Sequence, residues 1–429
     1  MEERIITLAT PVFFALIAIE LAWGAWRGRN TYRLDDAINS IGLGVLSQVS
    51  GVFTRLLRIG LYAWAFDAIA PWRLPADSAW VWLFALVFYD FCYYWHHRLG
   101  HERAILWAAH VVHHQSEDYN LSTALRQTSS GALLGWIFYL PMAAAGVPPE
   151  VFAAVALVDL LYQYWIHTQH VGRLGWFDRI FASPSNHRAH HAVNDRYLNR
   201  NYGGILIVWD RLFGTYAEED DADPPVYGTR KPLRSWNPLW ANVEVYSWML
   251  HDIVHTRRWR DRLRVLVSRT GWRPDDLRDA SPRLPFPLDR PRYAPHASRS
   301  AHGYAFVQFA LVLAAAVHFL QWHAHATTLE VLAYFAWIAL ALTTIGWMLE
   351  GRRIGAWLEA ARNAGTALAL LATQSWFGIV PPDSLGPSVV AAAALAGAAW
   401  AGWIGIRSSA PPAPQREAPA PVVAGGERS

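Results

Sequence analysis

Asp90-Phe-Cys-Tyr-Tyr-Trp-His96-His97-Arg-Leu-Gly-His101-Glu102 closes an apolar run that starts near residue 78. His97 and His101 stand four apart, so on a helix their rings share one face. Two related clusters follow, His110-Val-Val-His113-His114 and His187-Arg-Ala-His190-His191. At spacings i, i+3 and i+4 each cluster is expected to aim two or three imidazoles at one point. A structural zinc takes about four ligands and a catalytic zinc about three. The eight histidines of these clusters exceed one ion's need, so two ions are the economical reading.

Composition supplies the setting. Of 429 residues, 53% are hydrophobic, 17% are charged and 24 are Trp. Soluble domains carry about 25% charged residues. The deficit and the tryptophan excess predict an all-α, polytopic integral membrane protein with aromatic anchors at the interfaces. The net charge of +3, with no long basic run, argues against nucleic acid as a partner. Cys92 is the single cysteine. It excludes an internal disulfide and any Cys-based zinc or iron–sulfur site, so a metal must be held by nitrogen and oxygen. Lys231 is the only lysine among 37 Lys and Arg residues, a bias that favours a bacterial source.

Apolar runs of spanning length, roughly 17–25 residues, occupy 5–26, 78–95, 302–323, 328–348, 361–380 and 387–405. Residues 38–72 read as one crossing plus an interfacial piece. Runs 129–146 and 149–166 read as a hairpin turned at Gly146-Val-Pro-Pro149. Arginines after the first span make that loop cytoplasmic, and counting crossings puts all three clusters on the cytoplasmic side. The expected organisation is membrane spans in 1–77, a metal domain in 78–290, further spans in 291–407 and a disordered Pro/Ala-rich tail in 408–429. Residues 256–269 mix apolar positions at helical spacing with arginines. They suit a helix on an anionic bilayer surface or one packed on its own domain.

Other residues take roles from position. His167 ends the hairpin and is the candidate ninth ligand. Asp90 lies two turns before His97 on the same face, placed to accept a hydrogen bond from a ligating ring. Glu102 adjoins His101 as a further acceptor or substrate contact. Asn194, three residues past His191, is placed to reach the metals or to cap a helix. His96 points off the shared face, and His170 stands apart from the clusters. His251 and His255 read as structural. His318, His323 and His325 read as interfacial. Imidazole suits zinc, iron, copper and nickel alike. A centre at a lipid-lined slot suits alkyl C–H oxidation, which iron with dioxygen supports and redox-inert zinc does not.

The clusters, written HxxxH, HxxHH and HxxHH, resemble the fatty acid hydroxylase/sterol desaturase superfamily of membrane di-iron oxygenases. Residues 90–102 are similar to the first box of its alkylglycerol monooxygenase branch. So are Ser116–Gln127, Tyr162–Thr168, Pro184–Asn194 and Asn201–Thr215. The resemblance implies two iron ions, dioxygen and a reductant, either tetrahydrobiopterin or another donor such as a redox partner. It also implies that Glu102 matches an acid needed for activity. The implied substrate is an alkylglycerol lipid in the bilayer, hydroxylated beside its ether oxygen to give a fatty aldehyde. Hydroxylation or desaturation of a sterol, hopanoid, carotenoid or acyl lipid is the alternative within the superfamily. A membrane metal transporter is the remote one, since transporters place ligands inside their spans.

Overall fold

The structure, a computed structural model, describes residues 2–278, 286–378 and 386–407. Among these it is helical, with isolated bridges and no strand. The tail 408–429 lies outside the described residues.

Five helices among them are long and apolar enough to cross a bilayer, over Ala9–Trp26, Leu34–Thr54, Arg299–His325, Thr328–Leu349 and Gly386–Arg407. This is an integral membrane protein. Val12, Ile19 and Trp26 of the first helix are more than half exposed, as a lipid-facing side must be. Three helices read as crossings from the sequence fall outside that set. Ala79–Glu102 carries Asp90, Arg98 and Glu102, and Pro149–Trp165 has only 17 residues. Arg353–Thr373 starts eight residues before the expected 361. Its Glu359, Arg362 and Asn363 are buried: Arg362 pairs with Glu359 at 2.8 Å, and Glu359 also accepts from Tyr304 Oη at 2.8 Å. A search for apolar runs passes over such a segment because its polar groups satisfy one another.

The first limb of the hairpin is likewise not one helix. It breaks into Gly131–Gly135, a 3-10 turn Trp136–Tyr139 and Leu140–Ala144. Two glycines and Pro141 deprive it of propagation. The turn at Gly146 has φ +81, and a Cβ there would stand 2.4 Å from the Trp72 carbonyl oxygen. The second limb, Pro149–Trp165, is continuous and packs on Ala79–Glu102 and Leu61–Ile69, where Tyr62 stacks on Phe152 at 3.8 Å.

The expected domains interlock rather than abut. Asn39, from the second helix, donates to the Trp236 carbonyl at 2.7 Å, and Glu350 accepts from Ser235 Oγ at 2.7 Å. In the 256–269 segment, helix Trp259–Val267 serves both readings. It packs through Val265 against Met249 and Ala108, yet leaves Trp259, Leu263 and Val267 exposed.

Candidate metal centre

Four chain segments converge at one end of the helices. Ala79–Glu102 brings His97 and His101 on its last turns. The chain then turns through Ala104–Ala108 into the 3-10 turn Val111–His114. His167 follows the hairpin's second limb. Helix Pro184–His191, capped by Ser183 Oγ accepting from Asn186 N, carries His187, His190 and His191.

The imidazoles form two groups. His97, His101, His110, His114 and His190 make the first; His113, His167, His187 and His191 make the second. Within each group the ligand atoms lie within 4.8 Å of one another. All nine histidines singled out from sequence are in these groups. Their partition differs from the expectation of one focal point per cluster. The second cluster sends His110 and His114 to one group and His113 to the other: in the 3-10 turn Val111–His114 the consecutive His113 and His114 diverge by about 120°, and His110 precedes that turn as its N-cap. In the third cluster His187 and His191, four apart, go together, while His190 turns to the first group.

The fit to metal is testable on the nitrogens. Metal–nitrogen bonds of about 2.0–2.1 Å place adjacent ligand nitrogens roughly 3 Å apart. His187 Nε2 lies 3.1 Å from His167 Nε2 and 3.1 Å from His191 Nε2, and His113 Nε2 lies 3.2 Å from His167 Nε2. In the first group the Nε2 atoms of His97, His101 and His190 are buried with no hydrogen-bond partner. The opposite nitrogens are engaged. Nδ1 of His97, His190, His113 and His167 meets the carbonyls of Tyr202, Arg200, Arg126 and Gln163 at 2.7–2.9 Å. Donation from Nδ1–H fixes the tautomer and leaves Nε2 as a free lone pair. Burial pushes the His113 imidazole down to about 4 and that of His190 to about 3, so both are neutral near pH 7. The groups abut, His114 stacking on His191 at 4.3 Å between centroids.

The acids and the amide proposed from sequence sit elsewhere in the network. Asp90 does not meet an imidazole. It accepts from the N–H groups of Ile205 (2.7 Å) and Leu206 (3.0 Å) and from Trp209 Nε1 (2.8 Å). Asp90 thus anchors the loop whose Tyr202 carbonyl orients His97. Asn194 does not reach the histidines and makes no side-chain cap. Its amide spans Asp223, Pro224 and Val226 and ties down that loop. Glu102 is held at 3.0 Å by Arg98, which also donates to Tyr94 Oη. His96 packs on Phe138 outside both groups, and His170 is likewise outside them. His255 Nδ1 meets its own helix at the His251 carbonyl, and His318, His323 and His325 also lie apart from both groups.

Sequence reasoning passed over Arg126 and Asp210. Arg126 is buried, donating to the Val112 carbonyl and to Asn39 at 2.7 Å while its own carbonyl receives His113. Asp210 accepts from the N–H groups of Tyr202 and Gly203 at 2.8 Å. Both lie in stretches quoted for the resemblance, and that was the available signal.

Fold and site together define a class: integral membrane proteins with paired, buried imidazole groups able to hold metal. Residues 82–215 match the family model described as fatty acid hydroxylase. The chain is 37% identical over 363 residues to alkylglycerol monooxygenase of Homo sapiens, covering 82% of this chain and 80% of that one. It is 35% identical over 363 residues to that of Xenopus tropicalis, covering 82% and 79%. An ornithine lipid hydroxylase of Rhizobium tropici is 32% identical over 132 residues, 30% of this chain and 40% of its own. No solved structure matches. The chain belongs to the fatty acid hydroxylase family, within its alkylglycerol monooxygenase branch.

Proposed function

We propose that this protein is a di-iron monooxygenase that hydroxylates the ether-adjacent carbon of alkylglycerol lipids. His97, His101, His110, His114 and His190 hold one iron, and His113, His167, His187 and His191 the other. The observation that carries the reading is the partition of nine imidazoles, eight of them buried and His110 partly so, into two abutting groups, in a chain related along most of its length to alkylglycerol monooxygenases.

Iron at such a centre, given dioxygen and two electrons, supplies an oxidant strong enough for an alkyl C–H bond. The rest is done by the chain. The carbonyls of Tyr202, Arg200, Arg126 and Gln163 fix four rings in one tautomer. Burial of the histidines keeps bulk water from the oxidised carbon. The apolar helices hold the alkyl chain in the bilayer while its polar head stays at the interface. Hydroxylation beside the ether oxygen gives a hemiacetal, whose collapse breaks the C–O bond into a fatty aldehyde and a glycerol alcohol.

Glu102, next to His101 and paired with Arg98, is the acid proposed to act beside the first group. Asp90 is proposed as a positioning residue, acting through the Tyr202 loop. Residues 78–290 form the proposed metal domain, flanked by the spans of 1–77 and 291–407. Tetrahydrobiopterin is the proposed electron donor. The centre faces the cytoplasm from a bacterial inner membrane. The sidedness rests on arginines such as Arg27 and Arg29 after the first span.

The test is aerobic turnover of a 1-O-alkylglycerol by purified, iron-loaded protein with tetrahydrobiopterin. Fatty aldehyde is expected. A hydroxylated ornithine lipid or sterol formed instead would redirect the substrate. Absence of any oxidised lipid from iron-loaded, chemically reduced protein would overturn the reading.

A further inference from the structure

Helix Trp259–Val267 presents two opposite faces. Asp261 and Val265 are buried, and Val265 packs with Met249 and Ala108. Trp259, Leu263 and Val267 stand four apart and so share the other face, where they are 66%, 61% and 61% exposed. At about 100° per residue, Arg262 falls on one edge of this stripe and Arg260 and Arg264 on the other, all three exposed. Arg264 pairs with Asp261 at 3.2 Å, whereas Arg260 and Arg262 have no acid partner among the described residues. The neighbouring helix Pro238–His255 adds a second outward stripe of Leu239, Val243, Leu250 and Val254. Isolated exposed apolar side chains are ordinary; two adjoining stripes, one of them edged by arginine, mark an interaction surface.

That pattern suits a helix lying in a bilayer interface, its apolar side chains among acyl chains and its guanidinium groups raised to the headgroup phosphates. We propose that helix Trp259–Val267, with the stripe of Pro238–His255 beside it, seats on anionic phospholipids of the leaflet at the metal-centre end of the spans. Charge argues for that occupant. Residues 256–269 hold six arginines against one acid, and each arginine near an anionic surface contributes about fivefold in affinity. The seat is also tied to the centre. Just past the helix the Ser268 carbonyl accepts from Ala104 N at 3.0 Å, and Thr270 N donates to the Glu102 carbonyl at 3.1 Å. Thr270 Oγ1 donates to the His101 carbonyl. Lipid held by this helix therefore keeps the His101 end of Ala79–Glu102 at headgroup level and sets which carbon of a lipid chain reaches the first imidazole group. Only that consequence rests on the oxygenase reading; the docking does not.

Cys92 is buried, so a bimane label goes to an introduced cysteine. Full-length, metal-loaded Leu263→Cys protein is labelled and reconstituted in bilayers of phosphatidylcholine and phosphatidylglycerol, with bromine on the acyl chains of one lipid or the other. Brominated chains quench bimane on contact, and the measurement needs no turnover. Quenching by both lipids is expected, with phosphatidylglycerol favoured about tenfold. Arg260→Gln with Arg262→Gln should cut that preference about fivefold or more, with metal content and quenching by brominated phosphatidylcholine unchanged. A label at Glu218→Cys, exposed in a polar loop, should stay unquenched in the same bilayers. A label at 263 as unquenched as that at 218, as when a soluble partner covers this face, overturns the proposal. Equal quenching by the two lipids with the arginines intact overturns it as well.

Discussion

His190 and His191 are consecutive in the chain, with ring planes 88° apart, and they serve different imidazole groups. One helix, Pro184–His191, thus reaches into both halves of the centre, and His187 and His191 differ from His190 in what their loss should do. His191→Ala removes one of four ligands from the second group, and His190→Ala one of five from the first. Both variants should lose oxidation activity. In metal analysis His191→Ala should fall from about two ions per chain to about one, while His190→Ala keeps more of its metal, since four donors suffice for a closed site.

Arg126 links the membrane helix Leu34–Arg55 to the 110–115 turn, and its carbonyl fixes His113. Arg126→Met should leave the Asn39 side-chain oxygen unpaired in the interior, at about 1–3 kcal/mol, and leave the Val112 carbonyl only its bond from Gln115 N at 3.4 Å. Loss of the guanidinium that holds this backbone in place should let the residue-126 carbonyl shift off His113 and weaken metal binding about 10–100-fold. Arg126→Lys should not restore it, because an ammonium lacks the planar fork. Thermal unfolding and metal titration in detergent check both effects.

Gly204 is fitted between two carboxylates. A Cβ there would lie 2.6 Å from Asp159 Oδ1 and 3.0 Å from Asp90 Oδ1. Gly204→Ala should push the 203–209 loop outward at a cost of about 1–3 kcal/mol and move the Tyr202 carbonyl off His97. Reduced thermal stability with reduced metal retention is expected. Gly172→Ala, in open space, is the neutral control.

Acid should act on the metal-free protein through its imidazoles. Burial holds His113 at about 4 and His190 at about 3, below the ordinary 6.5. Above 6.5 neither folded nor unfolded chain binds protons there, so these groups leave stability unchanged. Between 6.5 and their folded values only the unfolded chain is protonated, so stability falls with pH. Unfolding midpoints of metal-free protein should drop steadily from pH 6.5 to about 4. Metal-loaded protein should hold its midpoint further into acid, because bound metal favours the neutral ring.

Glu359 and Arg362 form a buried pair in the C-terminal helices, with Tyr304 and Asn363 completing the network. Arg362→Leu alone should destabilise by about 3–5 kcal/mol by stranding the carboxylate. Adding Glu359→Leu should recover most of that loss, measured by thermal unfolding of single and double variants.

Much of this molecule was legible in its linear order. Spacing marked eight histidines, position at the end of the hairpin marked His167, and composition marked a membrane protein. What stayed hidden was pairing. Arg353–Thr373 began inside a polar stretch because Glu359, Arg362 and Tyr304 neutralise one another across two helices. Asp90 shares a face with His97 in the helix, yet its carboxylate is taken by backbone N–H groups of a loop more than a hundred residues away. Asn194 was spent on its neighbours in the same manner.

By itself the sequence determined how many imidazoles there are, that nitrogen and oxygen rather than cysteine sulfur must hold any metal, and which segments are apolar enough for lipid. These follow from residue chemistry and from local helical period. The division of nine rings into a group of five and a group of four was decided only by tertiary structure. It depends on a 3-10 turn where an α-helix was expected, and on carbonyls from Tyr202, Arg200, Arg126 and Gln163 that fix which way four rings face. A ring's direction is set by the partner of its second nitrogen, and that partner comes from wherever the fold brings a carbonyl.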